Sequence, residues 1–145
     1  MDFNDFKSLV VQRVREHPVW FGLPSDKLAN TDAVNAAEKE LCVKFPVEYV
    51  EFLKNYGGGY FALGIAFSLD YESEFYVLNK NTCESVLRSG YLIFSENGVG
   101  DYYGFPVVSG ECRSEVFFYD HEDASWGSAG SGNLFDFLAR FALSN

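Results

Sequence analysis

Residues 91–122, YLIFSENGVGDYYGFPVVSGECRSEVFFYDHE, decide the fold of this chain. Three apolar, aromatic-rich runs are separated by the dipeptide Asn97-Gly98 and by the segment Ser109-Gly110-Glu111. Asn-Gly between apolar runs predicts a β-hairpin, because both residues tolerate positive φ. Aromatic and β-branched side chains suit a pleated, half-buried surface. We therefore predict three strands joined by tight turns, which form the centre of a sheet.

Three helices are predicted on the N-terminal side of this segment. Apolar residues recur at three- and four-residue steps in residues 2–16, in residues 32–41 and again after Pro46. Thr31 or Asp32 is the candidate cap of the second helix, and Pro46 suits the first turn of the third. The glycines at 57–59 end that third helix.

The remaining stretches are less regular. Residues 60–69 predict one strand with a bulge at Gly64. Residues 71–88 fit a strand at 75–78 or a helix, and we expect a helix in their later part. Residues 124–132, rich in glycine and serine, predict a loop, and Ser131 or Asn133 caps a final helix with a phenylalanine-rich stripe. The whole predicts one α+β domain, a mostly antiparallel sheet packed against several helices.

The charge of the chain is strongly acidic. Its 145 residues carry a formal net charge of −10, and residues 89–145 hold eight acidic but only two basic side chains. Nucleic acids and anionic membranes require a positive surface, so this balance argues against both as partners. It favours a basic protein partner or simple solubility.

The cysteines and the N-terminus indicate the expected compartment. The three cysteines, Cys42, Cys83 and Cys112, are odd in number and form no CxxC pair. This pattern favours reduced thiols over a disulfide framework or a zinc site. The N-terminus has acidic residues where a signal peptide requires basic ones, and no stretch is long enough to span a membrane. We therefore expect a cytoplasmic protein.

Three segments together resemble the SUKH superfamily, which includes Smi/Knr-type cell-wall regulators and many bacterial immunity proteins. The first runs from the helix AEKEL (37–41) through FPVEY (45–49) to NYGG (55–58), with Phe45 where the family usually has leucine. The second is IFSENGVGDYY (93–103). The third is VFFYDHE (116–122), followed by the last helix. Together they cover residues 32–141.

The resemblance implies a sheet covered by helices and a non-enzymatic domain. Many bacterial members bind and neutralise a polymorphic toxin, often a nuclease, whereas other members act in signalling or cell-wall control. The resemblance does not carry over a particular toxin.

Several motifs also permit a metal-binding, catalytic or phosphate-binding function. Carboxylates and an imidazole, as in a metal site or an acid–base pair, occur at residues 120–123 (Asp-His-Glu-Asp) and at Asp101. A further hypothesis is therefore a metal-dependent or small-ligand enzyme that uses Asp101, Asp120 and His121. A solvated turn is the simpler interpretation, since consecutive residues do not converge on one ion. The glycines at 127–132 precede a helix but lack the lysine of a phosphate-binding loop.

We expect an immunity-type protein that neutralises a basic toxin through an acidic surface with aromatic anchors, or else a regulatory or scaffold module. Adjacent strand residues point to opposite faces, so Tyr102 and Tyr103 are not both buried by one layer. We expect a monomer or weak dimer, with no catalytic residue, cofactor or metal. The candidate partner-binding residues are Glu96, Asp101, Tyr102, Tyr103, Glu111, Asp120, His121, Glu122, Asp123 and Trp126.

Overall fold

The computed structural model describes residues 1–145 and has the predicted α+β architecture. The chain contains six helices and seven strands, and a short 3₁₀ helix at Pro18–Phe21 follows the first helix. The helices are α1 Phe3–Glu16, α2 Thr31–Leu41, α3 Val47–Tyr56, α4 Val77–Lys80, α5 Cys83–Ser89 and α6 Leu134–Phe141. The strands are β1 Gly59–Phe61, β2 Gly64–Ala66, β3 Tyr91–Glu96, β4 Tyr102–Val108, β5 Glu111–Cys112, β6 Val116–Asp120 and β7 Ser125–Ser131.

Local capping explains where the longer helices begin. Asn30, rather than Thr31 or Asp32, caps α2, because its side-chain oxygen accepts a hydrogen bond from the Ala33 amide. Pro46 immediately precedes α3, where a missing N–H costs nothing. Asn133 caps α6 through the Asp136 amide, as the sequence predicts.

The main sheet is antiparallel, with strands in the order β3-β4-β6-β7 and the short β5 paired with β4. The predicted position of residues 91–122 at the sheet centre is thereby confirmed, because β4 and β6 have neighbours on both sides. The predicted tight turn at Asn97-Gly98 is wrong. Glu96 pairs with Tyr102, so residues 97–101 form a longer loop, and the Asn97 side chain accepts hydrogen bonds from two of its amides.

Two other stretches differ from the prediction. Residues 60–69 do not form one bulged strand. They contain the separate hairpin β1–β2, because Ala62 adopts a left-handed conformation that reverses the chain. Residues 124–132 are not a loop, since β7 pairs with β6 along most of this segment. In residues 71–88 the expected helix is present as α4 and α5, while residues 75–78 form no strand.

The expectation of reduced thiols is also wrong for two cysteines. Cys42 and Cys83 form a disulfide whose Cα atoms lie 5.4 Å apart, and Cys112 remains free. The bond joins the end of α2 to the start of α5, forty-one residues later in the chain. Sequence spacing does not reveal this pairing, because the two helices meet only in the folded chain.

One face of the main sheet packs against the helices. Leu92, Phe94 and Phe105 are fully buried there, and the rings of Phe94 and Phe105 stack 4.2 Å apart. Tyr49 of α3 contacts both rings, and Phe137 of α6 contacts Phe94. These residues belong to one apolar core that reaches α1 through Phe6 and Phe135. This layer fixes the orientation of every strand, and hence of the opposite face.

Candidate functional site

The face of the main sheet that points away from these helices bears a row of aromatic side chains. Because cross-strand partners share a face, the strand register places there Tyr91, Tyr102, Phe117, Tyr119 and Trp126, here called the aromatic platform. All five are half-buried, whereas Leu92, Tyr103 and Phe105 on the inner face are buried in the core. A small cluster of Phe67, Phe75 and Val77 covers part of this face, where it packs against Ile93 of β3 and Tyr102 of β4.

Trp126 lies at the centre of the platform. Its indole stacks on the Tyr91 ring with the centroids 4.0 Å apart, and Tyr119 lies 5.3 Å away. The indole extends over Gly104, where an added Cβ would lie 3.0 Å from its ring and 2.9 Å from the carbonyl oxygen of Leu92. Glycine at this position therefore allows the indole to lie flat on the sheet.

Two loops meet at one end of the sheet, beside the platform. Residues 97–101 join β3 to β4, and residues 121–124 join β6 to β7. These loops and the strand ends next to them, here called the loop end, carry five carboxylates: Glu96, Asp101, Asp120, Glu122 and Asp123. Residues 96–102 and 119–126 contain no lysine or arginine, and the nearest ammonium group is Lys80, 3.9 Å from Glu96. The loop end is therefore strongly negative.

Asp101 joins the two loops. Its Oδ1 accepts a hydrogen bond from the His121 backbone amide at 3.0 Å and lies 2.6 Å from His121 Nδ1, while Asn97 Nδ2 donates to Oδ2 at 2.9 Å. These hydrogen bonds, the backbone one foremost, lower the pKa of Asp101 to about 2. The same carboxylate raises the pKa of His121 above its ordinary value. Gly100 leaves room for the imidazole, since a Cβ there would lie 3.3 Å from the ring.

The geometry of a cation site is partly present in this cluster. Asp101, Asp120 and His121 each offer a ligand atom, and these atoms lie within 4.8 Å of one another. However, Asp101 Oδ1 already accepts two hydrogen bonds from His121. The raised pKa of His121 favours the protonated ring, which does not coordinate metals. The arrangement suits an ion pair between the loops better than a metal centre or a general base at neutral pH.

The structure brings most of the sequence-predicted residues together. Eight of them lie at the loop end or on the adjoining platform: Glu96, Asp101, Tyr102, Asp120, His121, Glu122, Asp123 and Trp126. Glu111 does not join them, because it begins β5 at the opposite end of the sheet. Tyr103 points to the helix side with 7% of its surface exposed, so it cannot be a surface aromatic. Tyr102 is the less buried member of the pair and lies on the opposite face, as strand alternation requires.

Sequence reasoning missed three platform residues, Tyr91, Phe117 and Tyr119. Their strands were expected, and alternation within each strand is visible in the sequence. What the sequence lacks is the register between strands, which places Tyr119 beside Tyr102 and Trp126. Trp126 is among the sequence-predicted residues, but the sequence predicts a loop for its segment.

Comparison with known proteins gives one match. A family model described as SMI1-KNR4 cell-wall (SUKH_6) matches residues 31–138, which extend from the start of α2 into α6. No curated protein and no solved structure matches the chain. No helix of the fold combines the length and apolarity that crossing a membrane requires. The matched range contains the main sheet, the platform and both acidic loops. The chain therefore belongs to the SMI1-KNR4 family of the SUKH superfamily.

Proposed function

We propose that this protein is an immunity-type binding protein that neutralises a basic protein toxin, with nucleases as the favoured class. One observation carries the proposal: the five carboxylates of the loop end border a half-buried aromatic platform. Asp120, Glu122 and Asp123 make no ion pair within the chain, so their charge is free to act on a partner. Family membership is consistent with this role.

The physical basis is complementarity with a positive groove. A negative surface attracts a basic partner over the Debye length and raises the rate of encounter. Tyr and Trp then supply contact area with little entropy loss, and their ring faces attract lysine and arginine side chains. A toxin that cleaves nucleic acid needs a positive groove, so a surface of this kind can occupy that groove and exclude the substrate.

We propose that the protein acts by binding and catalyses no reaction. Asp101, with its pKa lowered to about 2, stays ionised and is a poor proton acceptor near neutral pH. Its hydrogen bonds connect two loops of the binding surface, which is a positioning role. We propose a cytoplasmic location, where a nuclease toxin meets nucleic acid; there the Cys42–Cys83 pair is expected in its reduced form.

A second candidate is a regulatory or scaffold module of the cell-wall or signalling type. The description of the matched family, SMI1-KNR4 cell-wall, favours it. The same surface would then bind a different basic partner. The two candidates differ in gene neighbourhood, since an immunity protein is encoded beside its toxin.

The test is protection in cells. The toxin domain encoded beside this gene is expressed from an inducible promoter, with or without this chain, and growth and co-purification are measured. We expect growth to be restored by the chain and abolished again by the triple variant Asp120→Asn, Glu122→Gln, Asp123→Asn. A neighbourhood without any toxin gene, or a toxin that still kills cells containing the chain, would reject the immunity role.

A further inference from the structure

A small apolar cavity lies beside the loop end, on the helix side of the sheet. It has a volume of about 190 Å³ and is formed by the β1–β2 turn, the end of β3, the start of β4 and α6. Its apolar wall includes Leu63, Ile65, Tyr103, Phe141 and Ala142. Leu63 is 48% exposed and Phe141 is 41% exposed, so two large apolar side chains face solvent at this cavity.

The walls of the cavity are held by hydrogen bonds within the chain. The Leu63 amide donates to the Ala142 carbonyl oxygen at 3.0 Å, which fastens the β1–β2 turn to the end of α6. The Ser95 hydroxyl donates to the Ile65 carbonyl oxygen, so a polar group in the lining is already satisfied. Small residues leave the space open, since Gly64 faces Ala142 and an added Cβ would lie 3.1 Å from its methyl group. The cavity is thus preformed and suits an apolar group.

The cavity is continuous with the acidic cluster. Glu96 and Asn97 form its polar side, and Asn97 Nδ2 donates to Asp101, which in turn holds His121. Glu96 has one cationic neighbour, Lys80, at 3.9 Å. Because Lys80 offsets Glu96 and His121 is paired with Asp101, the uncompensated negative charge beside this apolar cavity is that of Asp120, Glu122 and Asp123 at the loop end.

We propose that this cavity takes one apolar side chain, aromatic or long aliphatic, from a partner segment in which a lysine or arginine is adjacent to that side chain. The inference rests on the proposed function and specifies how its partner is recognised. A volume of about 190 Å³ is below the range of pockets for whole small-molecule ligands, so it fits a single side chain. An apolar anchor in a cavity beside a charged rim is the common arrangement of binding hot spots. The adjacent basic residue is attracted by the loop end, where Asp120, Glu122 and Asp123 make no ion pair within the chain.

The test uses three short peptides as probes: Ac-Gly-Phe-Lys-Arg-Gly-NH2, the same peptide with Ala in place of Phe, and the same peptide with two Glu in place of Lys-Arg. Methyl resonances of Leu63, Ile65 and Ala142 are followed by NMR during titration to millimolar peptide. We expect the Phe-Lys-Arg peptide to shift these resonances with a dissociation constant at least about fivefold below that of either other peptide. Equal affinity of the Phe and Ala peptides, or unmoved cavity methyls, overturns the proposal.

The matched variants are Leu63→Ala in the cavity wall and Leu87→Ala on α5, whose side chain is 72% exposed. Both variants remove the same atoms from an exposed position, so both are expected to fold. Leu63→Ala should weaken binding of the Phe-Lys-Arg peptide about fivefold or more, whereas Leu87→Ala should leave it unchanged. Equal affinities of the two variants contradict the proposal.

The same two variants separate this inference from the proposed function. If the neighbouring toxin is neutralised equally well by Leu63→Ala and Leu87→Ala, the cavity inference fails while the immunity role stands. If no neighbouring toxin is bound but the Phe-Lys-Arg peptide still binds in a Leu63-dependent manner, the cavity inference stands and the immunity role fails.

Discussion

At the scale of single residues, Asp101 is the side chain that shapes the proposed binding surface. It accepts hydrogen bonds from Asn97 in its own loop and from His121 in the neighbouring loop. Both loops belong to the loop end, where Asp120, Glu122 and Asp123 make no ion pair within the chain. Asp101 therefore positions charges that it does not itself present to a partner.

Replacing Asp101 with Asn tests this ion pair. The substitution removes the charge that stabilises protonated His121, so the pKa of His121 should fall toward its ordinary value of 6.5. The measurement is an NMR titration of the His121 imidazole protons. Asp123→Asn is the matched control, because Asp123 makes no contact with the ring, and it should shift the titration far less. A pKa of His121 that is the same in the wild type and in Asp101→Asn would contradict the pairing.

The pair also sets the direction of a pH effect on stability. Because the folded-state pKa of His121 is raised, its contribution is present below about pH 6.5 and is lost as the pH rises through the folded-state value. The pKa of Asp101 is lowered from 3.8 to about 2, so its contribution is present above pH 3.8 and is lost as the pH falls through that interval. The His121 side chain is exposed and the Asp101 side chain lies at the surface with 14% of its area accessible, so solvent screens the pair and the resulting effects are small.

Tyr49 offers a residue-scale prediction in the core. Its ring is fully buried against Phe45, Phe94 and Phe105, and its hydroxyl donates to the Phe67 carbonyl oxygen at 2.7 Å. Tyr49→Phe should lower the free energy of unfolding by about 1–3 kcal/mol, because it leaves a buried carbonyl without its donor. Urea denaturation measures this change. Tyr71→Phe, at a side chain 72% exposed, is the control and should be neutral; equal stabilities of the two variants would refute the role of the hydroxyl.

At the scale of elements, local patterns predict helices better than strands in this chain. Apolar periodicity and caps are encoded within a few residues, so α1, α2, α3 and α6 were expected nearly at their observed bounds. In contrast, β7 has the sequence SWGSAGS, in which small residues hide any alternation. Its strand conformation comes from pairing with β6. At the end of β7, Arg140 of α6 donates hydrogen bonds to the carbonyl oxygens of Ala129 and Gly130.

Gly104 in β4 provides a test of the platform as a packed unit. Gly104→Ala should destabilise the fold by about 1–3 kcal/mol, because the new methyl group meets both the Trp126 indole and the Leu92 carbonyl oxygen. Urea denaturation and the indole NMR resonance of Trp126 report the change. Gly127→Ala in β7 is the matched control, because an added Cβ there meets nothing within 4 Å. An unshifted Trp126 resonance in Gly104→Ala would contradict the described position of the indole.

The disulfide between α2 and α5 predicts the number of reactive thiols in the protein. Unfolded, unreduced protein should contain one reactive thiol per chain, Cys112, instead of three. Reduction, or Cys42→Ser with Cys83→Ser, should lower the free energy of unfolding by about 2–4 kcal/mol. Thiol titration in denaturant and urea denaturation measure these effects. Three reactive thiols per chain in protein purified under oxidising conditions would refute the bond. Three reactive thiols in protein taken directly from cytoplasm would show that the pair is reduced in that compartment.

At the scale of the whole molecule, the fold brings together at one end of a sheet the charges that the sequence distributes over residues 96–123. The excess of acidic side chains after residue 89 could be read directly from the sequence. Their convergence could not, because it depends on the antiparallel order β3-β4-β6-β7, which places both acidic loops at the same end. Glu111 illustrates the limit: it belongs to the same acidic segment but lies at the opposite end.

The family resemblance and the fold class could both be stated before the structure was considered, because they depend on the order of short motifs. The cavity beside the loop end could not, since its walls come from β2, β3, β4 and α6. The aromatic platform likewise depends on register, which pairs residues far apart in sequence. Surfaces of this kind are properties of the assembled chain.

The most direct test of the proposed function is the affinity for the toxin domain encoded beside this gene, measured with two charge-matched triple variants. The loop-end variant is Asp120→Asn, Glu122→Gln, Asp123→Asn, and the control variant is Glu40→Gln, Glu111→Gln, Glu115→Gln, whose positions lie away from the loop end. Both change the net charge equally. We predict that the loop-end variant weakens binding by about tenfold or more at low salt and reduces the salt dependence, while the control changes affinity by less than about twofold. Equal losses in the two variants, or no loss in either, would contradict the proposal that the loop end is the binding surface.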